Sequence, residues 1–169
     1  MQPSTPAKGA AAPFRSSEMA VEAAWIDYNG HLNMAYYHVL FDRAADELFT
    51  LLGVGAGYVT SRKASLFALE AHVSYLRELK AGDRVVVDIQ ILNFDKKRMH
   101  FFETLINTGD GLVSATCEQA GIHVDMTTRR SAPVPADIMP RIAALAAAHA
   151  GLPRPERAGR GISLASRKA

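Results

Sequence analysis

The sequence feature that most constrains the fold of this chain is a polar turn that leads directly into a long amphipathic helix. The turn, D-Y-N-G-H-L-N at residues 27–33, places a carboxylate, an imidazole and two amides within seven residues. From residue 34 onward apolar side chains recur at helical spacing, and charged side chains lie on the opposite face. Asn33 is the predicted N-cap of this helix, and Gly53 is its predicted end. The rest of the chain must therefore supply a surface that covers the apolar stripe.

Alternation of apolar and polar residues predicts that this surface is a β-sheet. The predicted strands cover residues 18–25, 66–77, 84–92, 97–106 and 112–126. The sequence N-T-G-D-G at 107–111 predicts a hairpin between the last two strands, and Gly121 is interpreted as a β-bulge. G-V-G-A-G at 53–57 is predicted to be a connection, and 136–149 an Ala-rich helix with Pro140 in or near its first turn. The predicted class is α+β: an antiparallel five-stranded sheet wrapped around a long central helix, plus a C-terminal helix.

Composition divides the 169 residues into one domain and two terminal segments. Residues 1–15 are mostly small and polar and contain prolines, so this segment is predicted to be disordered. Residues 16–150 carry the periodic pattern and form the predicted domain. Residues 151–169 contain several arginines and few apolar side chains, and they are predicted to be a flexible basic tail.

Charge and cysteine content restrict the function classes. The formal net charge is only +2, from 19 basic and 17 acidic residues, which does not indicate a nucleic-acid partner. The single cysteine, Cys117, excludes an intramolecular disulfide and suits a reducing compartment. The sequence shows neither a membrane-span pattern nor a secretory signal pattern. We therefore expect a cytoplasmic protein without a membrane partner, and no spacing of ligand residues predicts a metal site.

The turn also holds the most reactive set of side chains in the sequence. Backbone N–H groups at a helix N-terminus stabilise negative charge that develops on an oxygen atom. A carboxylate beside such donors, as Asp27 is, suits hydrolysis of an activated acyl compound. The ordinary alternative is that Asp27 only caps the helix or forms an Asx turn.

The turn and helix resemble the signature of the 4-hydroxybenzoyl-CoA thioesterase-like branch of the hotdog-fold superfamily. That signature is D-x-x-G-H-[LV]-N-N-x-x-Y followed by F-[ED]-x-A. It is matched here by Asp27, Gly30, His31, Leu32, Asn33, Tyr37, Phe41, Asp42 and Ala44. Met34 departs from the signature, because the family often has a second Asn there. A weaker similarity lies in A-H-V-S-Y-L-R-E-L-K-A-G-D at 71–83, so that the resemblance spans residues 16–135.

A closer resemblance is to betainyl-CoA thioesterases, which are associated with carnitine breakdown. It lies in W-[IV]-D-Y-N-G-H-L at 25–32, F-x-L-E-A-H-[LV]-x-Y-L-x-E at 67–78 and K-R-[ML]-H at 97–100. It implies an acyl group with a quaternary ammonium, which binds to aromatic faces or to a carboxylate. The residues of those types are Trp25, Tyr28, Tyr36 and Glu70, although Glu70 also has an ordinary interpretation as a solvated side chain.

The resemblance implies a hotdog fold and an acyl-CoA thioesterase that releases a free acid and CoA. Coenzyme A is then part of the substrate, and no separate cofactor is expected. Hotdog proteins assemble as homodimers or dimers of dimers with active sites at the subunit interface, which the open edges of the predicted sheet also favour.

The resemblance assigns roles within the turn. Asp27 is implied as nucleophile or general base, and the backbone N–H of Met34 as oxyanion-hole donor. Asn33 is interpreted as the cap that holds this donor in place. His31 either orients water or substrate, or only braces the turn. Gly30 is interpreted as a position that requires special backbone geometry.

The CoA phosphates require basic partners. Lys96, Lys97 and Arg98 form a basic cluster at the start of a predicted strand, and Arg77 is a second candidate. The alternative for the cluster is an ordinary solvated hairpin.

Two other functions remain open at this point. Hotdog hydratases or dehydratases also use an Asp and a His near this turn, but their pattern resembles D-x-N-P-[LIV]-H, whereas this chain has D-Y-N-G-H. A non-catalytic acyl-CoA-binding hotdog protein would need a DNA-binding or partner module, and neither end of the sequence resembles one.

Overall fold

The computed structural model describes residues 12–164 and shows a curved antiparallel sheet around one long helix. The helices are α1 (Met34–Leu52), α2 (Ala56–Arg62) and α3 (Met139–His149), with a 3-10 turn at Ala23–Trp25. The long strands are β3 (Ala64–Tyr75), β4 (Arg84–Phe94), β5 (Arg98–Asn107) and β6 (Val113–Asp125). Three two-residue strands complete the sheet: β1 (Phe14–Arg15), β2 (Met19–Ala20) and β7 (Arg130–Ser131). The predicted hotdog fold of the α+β class is confirmed.

The order of strands leaves one long edge open. Within residues 12–164 the sheet runs β1-β4-β5-β6-β3, with β2 also paired to β4 and β7 to β6. β3 is hydrogen-bonded to β6 on one side only. Its middle residues, 67–71, are exposed on both faces of the strand. An exposed strand edge of this length normally requires a cover or a partner.

The core lies between α1 and the concave face of the sheet. Leu40, Ala44 and Leu48 of α1 are fully buried against residues of β4 and β5 such as Val87 and Leu105. Burial of such a stripe is the main source of stability for a single amphipathic helix. The helix thereby fixes the position of the turn that precedes it.

Both predicted ends of α1 are confirmed. The Asn33 side-chain Oδ1 accepts a hydrogen bond from the N–H of Ala35 at 3.0 Å. Gly53 adopts φ +84°, a left-handed conformation that favours glycine.

The predicted strand at 18–25 is wrong over most of its length. Only Met19 and Ala20 pair with β4, and the N–H of Trp25 bonds back to Glu22 in a 3-10 turn. Val21 and Trp25 are nevertheless buried, so the apolar alternation reflects burial in a turn rather than a strand.

Three other local predictions need correction. The connection predicted at 53–57 contains the start of α2, which is held by buried Tyr58, whose hydroxyl lies 2.8 Å from His123 Nε2. The irregularity predicted at Gly121 is confirmed, but the additional residue is Leu69 of the facing strand β3. α3 begins three residues later than predicted, at Met139, with Pro140 in its first turn.

The terminal segments are more ordered than predicted where the structure describes them. Phe14 and Arg15 pair with β4, and Arg15 forms an ion pair with Asp88 at 2.7 Å, so the segment 1–15 is not disordered at this end. In the tail, the N–H of Gly159 donates to Glu118 Oε2 at 2.6 Å. The rest of both predictions, residues 1–11 and 165–169, lies outside the described residues. No helix among residues 12–164 has the length and apolar character needed to cross a membrane.

Candidate active site

The turn before α1 is closed by three hydrogen bonds around Asp27. Its backbone N–H donates to the carbonyl of His31 at 3.1 Å, and its carbonyl accepts from Gly30 at 3.0 Å. Its side-chain Oδ1 accepts from the N–H of Asn29 at 2.8 Å, which makes an Asx turn. Gly30 adopts φ +82°, so the predicted need for special backbone geometry there is confirmed.

Two further bonds fix the turn to the body of the protein. The N–H of Leu32 donates to the carbonyl of Leu79 at 2.7 Å, and the N–H of Asn33 donates to the carbonyl of Trp25 at 3.0 Å. Leu32 and Leu79 are fully buried. The carboxyl group of Asp27 is therefore held on a rigid support.

The N-terminus of α1 presents one free donor. Asn33 accepts from the N–H of Ala35 through its side chain and from the N–H of Tyr36 through its carbonyl. The N–H of Met34 has no acceptor within residues 12–164. A free N–H at this position carries the positive end of the helix dipole.

Asp27 and Met34 line the same open cleft, which has a volume of about 880 Å³. The residue Asp27 is half-buried, and its Oδ2 has no hydrogen-bond partner in the described part of the chain. Tyr28 is 97% exposed and Met34 is 62% exposed. Large apolar side chains this exposed commonly mark a surface that binds a ligand or another chain. The complete lining is Asp27, Tyr28, Asn29, His31, Leu32, Asn33, Met34, Tyr37, Tyr75, Leu76, Arg77, Glu78, Lys80 and Asp110.

His31 is positioned to brace the turn. Its Nδ1 lies 3.3 Å from the carbonyl oxygen of Leu32, and no side-chain hydrogen bond joins it to Asp27 among the described residues. If Nδ1 carries the proton and donates to that carbonyl, Nε2 is left as an acceptor in the cleft.

The cleft unites most residues predicted for the turn, together with residues that the prediction missed. Of the predicted set, Asp27, Tyr28, His31, Asn33, Met34 and Arg77 line it. The wall that the prediction largely missed consists of the end of β3 and the residues directly after it, 75–80. Tyr37 donates to the carbonyl of Arg77 at 3.2 Å, and the Tyr75 hydroxyl lies 3.5 Å from the carbonyl of Met34. Most of this wall lies within the 71–83 motif, so the signal was present in the sequence, whereas Asp110 comes from the β5–β6 hairpin and had none.

Three of the four residues predicted to contact the acyl group, Trp25, Tyr36 and Glu70, do not line the cleft. Tyr36 stacks on Trp25 with ring centroids 5.3 Å apart, and the Arg43 guanidinium lies 5.0 Å from the centroid of the Trp25 ring. Trp25 is buried and already has a cationic neighbour in Arg43. Glu70 lines a separate depression, together with His100 and other residues.

The basic cluster Lys96–Arg98 lies at the opposite end of the sheet from the cleft of its own protomer. Arg98 of β5 pairs with Ile122 of β6, which in turn pairs with Phe67 of β3, so the cluster lies level with Phe67. The cleft lies level with Tyr75, roughly 26 Å further along β3. Arg98 also forms an ion pair with Asp95 at 2.6 Å. Hydrogen bonds from the backbone of Lys97 and from Arg98 lower the pKa of Asp95 to about 2.

Comparison with known proteins adds to this geometry. The model of the thioesterase-like superfamily matches residues 21–142. The chain is 42% identical over 147 residues to a betainyl-CoA thioesterase of Pseudomonas aeruginosa, covering 87% of this chain and 92% of that protein. It is 38% identical to an L-carnitine dehydrogenase/betainyl-CoA thioesterase of Rhizobium meliloti, covering 90% of this chain but only 31% of that longer protein.

A solved structure is similar over nearly the whole chain. It is that of a hypothetical protein of Staphylococcus aureus in complex with CoA, with a TM-score of 0.85 and 29% sequence identity. The alignment covers 92% of this chain and 98% of the other.

Proposed function

This chain belongs to the thioesterase-like superfamily, and from that premise we propose that it is an acyl-CoA thioesterase that acts on betainyl-CoA. The observation that carries the proposal is that the free carboxylate oxygen of Asp27 and the free N–H of Met34 line one cleft. Thioester hydrolysis requires this combination of a base or nucleophile and a donor for the oxyanion. The family resemblance predicted from the two sequence motifs is confirmed.

The donor acts on the thioester oxygen. When the carbonyl carbon becomes tetrahedral its oxygen gains negative charge, and the N–H of Met34 donates a hydrogen bond to it at the positive end of α1. Asn33 contributes by holding the first turn of the helix, since its side chain bonds Ala35 and leaves the N–H of Met34 free.

Asp27 acts on the carbonyl carbon by one of two routes. As a general base, it takes a proton from a water molecule that attacks this carbon. As a nucleophile, it forms an acyl anhydride that water then hydrolyses. Both routes consume one water molecule and restore the Asp27 carboxylate, and the sulfur of CoA leaves and takes up a proton. Asn29 fixes Oδ1, so Oδ2 is the reacting oxygen.

A thiol-release assay tests the proposed function directly. The purified protein is offered short-chain, aromatic, long-chain and betainyl-CoA thioesters, and free CoA is measured. Betainyl-CoA is expected to have the highest kcat/KM. An enoyl-CoA monitored at its double bond serves as a comparison for hydratase activity. No thiol release from any thioester, or loss of the double bond without thiol release, would contradict the assignment.

The open edge of β3 supports a homodimer as part of the same proposal. Residues 67–71 are exposed on both faces of the strand, and Phe67 and Leu69 are among the exposed large apolar side chains. Antiparallel pairing with a second copy would satisfy the free backbone groups of this edge. A two-fold axis at Leu69, the centre of the exposed run, would bring the Lys96–Arg98 end of one copy to the cleft end of the other.

Light scattering at micromolar concentration is expected to show a dimer or a dimer of dimers. Leu69→Lys is expected to shift the protein toward monomer, because it places like charges on either side of the two-fold axis. Lys80→Ala, away from the edge, is the control and should leave the mass unchanged. A wild-type monomer would count against the dimer, as would a Leu69→Lys variant of unchanged mass and dissociation constant.

The basic cluster is proposed to contact the CoA phosphates of the partner's active site. Replacing Lys96, Lys97 and Arg98 with Ala is expected to raise KM several-fold and leave kcat nearly unchanged, as for uniform binding. Added salt should also raise KM in the wild type. Arg84→Ala, which removes an exposed cation at the start of β4, is the control. An unchanged KM in the triple variant would show that the cluster is ordinary surface.

A further inference from the structure

A second cavity, of about 310 Å³, lies between the C-terminal half of α1 and strands β3 and β6. We call it the acidic pocket, because Asp42 and Asp46 line it and no Lys, Arg or His among the described residues does. Its other walls include Phe49, Phe101 and Phe67, and the ring of Phe67 already has the Arg129 guanidinium 5.8 Å from its centroid. Its volume is in the range of small-molecule sites. Carboxylates and aromatic rings with no basic residue form a lining suited to a cation.

The two aspartates of the acidic pocket lack partners. They stand one helical turn apart on α1, where two like charges destabilise a helix. Neither side chain forms an ion pair or hydrogen bond within residues 12–164. Both residues are exposed, and partial desolvation, together with the charge of Asp42, raises the pKa of Asp46. A cation in the pocket would relieve this repulsion.

A third carboxyl group lies immediately behind the wall of the pocket. Glu103 is 0% exposed and shares the inner face of β5 with Phe101. Its Oε2 accepts a hydrogen bond from Gln119, which itself lines the pocket. Its Oε1 is buried without a hydrogen-bond partner in the described residues, with the weakly donating Cys117 thiol beside the carboxyl group. A buried polar atom without a partner costs free energy, so it requires an explanation.

We propose that the acidic pocket binds the quaternary ammonium group of the substrate, with Asp42 and Asp46 as its charged walls and Glu103 as the buried group behind them. The inference rests on the proposed hydrolysis of a cationic acyl-CoA. A quaternary ammonium has no N–H to donate, so it is recognised by negative charge and by aromatic faces. The acidic pocket offers both, since Phe49 and Phe101 have no cationic neighbour among the described residues, whereas the Trp25–Tyr36 stack already has the cationic neighbour Arg43.

The acidic pocket serves the cleft of the partner rather than its own. Asp42 lies eight residues after Met34 on α1, which corresponds to about 12 Å along the helix axis. In a betainyl group the nitrogen is only two bonds from the thioester carbonyl carbon, so one protomer cannot span this distance. A two-fold axis at Leu69 would place Ser65 of one copy opposite Val73 of the other. Ser65 lines the acidic pocket, and Val73 is two residues from Tyr75 of the cleft, so the pocket of one copy would lie near the cleft of the other. Each active site would then combine Asp27 and Met34 of one copy with Asp42, Asp46 and Glu103 of the other.

A matched pair of substrates tests this inference. Betainyl-CoA and 3,3-dimethylbutanoyl-CoA have the same shape, but the second carries carbon in place of the charged nitrogen. The wild type is expected to prefer betainyl-CoA. Asp42→Asn and Asp46→Asn are each expected to lower its kcat/KM about ten- to a hundredfold, and to leave the neutral ester within about twofold of wild type. Glu156→Gln, which removes an exposed carboxylate of the tail, is the control.

The binding of tetramethylammonium chloride provides a readout that does not depend on hydrolysis. Calorimetry is expected to show binding to wild type and at least tenfold weaker binding to the double variant Asp42→Asn/Asp46→Asn. Equal kcat/KM for the two esters in the wild type, or variants that slow both esters alike, would overturn the cation site and leave the thioesterase assignment intact. Absence of thiol release with tetramethylammonium binding that requires both aspartates would overturn the hydrolase and support the cation site. Binding that is absent, or unchanged in the double variant, would also overturn the cation site.

Discussion

Asp27→Asn is expected to lower kcat for the best acyl-CoA substrate by about 10²–10⁴-fold, the usual contribution of a general acid or base. The amide keeps the size of the side chain, and its oxygen can still accept from the N–H of Asn29, so the Asx turn should survive. It loses the charge and basicity that attack or proton transfer requires. Fold and oligomeric state are therefore expected to remain those of the wild type.

Two further variants make this result specific. Asp27→Glu is also expected to be poor, because a displacement of ~1 Å can cost roughly 10²-fold when geometry determines the rate. Asp110→Asn removes a carboxylate from the wall of the same cleft and is expected to keep most of the activity. Near wild-type turnover by Asp27→Asn would rule out the catalytic role of Asp27, and His31 and Glu78 would be tested next.

The elements that could be predicted from the sequence are those whose signals are local. Helix α1 is specified by its own periodicity, by Asn33 and by Gly53, and the structure confirms both ends. The turn could be recognised because its hydrogen bonds join residues only a few positions apart. The long strands could be placed because apolar and polar residues alternate along their sequences.

The elements that failed depend on partners distant in the chain. The course of residues 18–25 is set by contacts with the start of β4, such as the bond from Val21 to the carbonyl of Asp83. Their alternating pattern cannot distinguish a strand from a buried turn. Helix α2 was missed because two glycines precede it, and its buried residue Tyr58 contacts His123, which lies 65 residues away in the sequence.

The residues of the candidate site also fall into a group with local sequence signals and a group without them. Asp27, Asn33 and Met34 are neighbours in sequence, and the family motif marks these three positions together, although Met34 itself departs from it. The acidic pocket joins α1 to β5 and β6, and no local pattern connects Asp42 with Glu103 or Gln119. Register within the sheet brings these residues to one place, and sequence alone does not give that register. Contacts across a dimer interface are harder still to predict from the sequence, because they also depend on how the two copies are arranged.

Glu103 provides the second large expected effect, which concerns stability rather than rate. Burial raises the pKa of Glu103 to about 8 from an ordinary value of 4.5, against the smaller opposing effects of the Gln119 hydrogen bond and the neighbouring Cys117 thiol. In the folded protein the carboxyl group therefore holds its proton at pH values where the unfolded chain has lost it. The stability that this difference contributes is fully present below pH 4.5 and is lost as the pH rises toward 8.

The expected result is that wild type loses stability relative to Glu103→Gln between pH 5 and pH 8. The slope for one proton is at most about 1.4 kcal/mol per pH unit. The amide matches the protonated carboxyl group in size and can still bond Gln119, but it cannot ionise. Urea unfolding of both proteins across this range gives the difference directly. His149 has a pKa lowered by burial and acts in both proteins alike, so it cancels in the comparison.

The exposed variant Glu156→Gln is the control, and its stability should follow the wild type at every pH. Parallel stability curves for wild type and Glu103→Gln would show that Glu103 ionises normally and that its surroundings are more polar than the structure indicates. A difference that grows with pH would show instead that a carboxyl group is held in an environment that disfavours its charge. The protein would then retain Glu103 at a cost to stability, as expected for a group kept for binding rather than for folding.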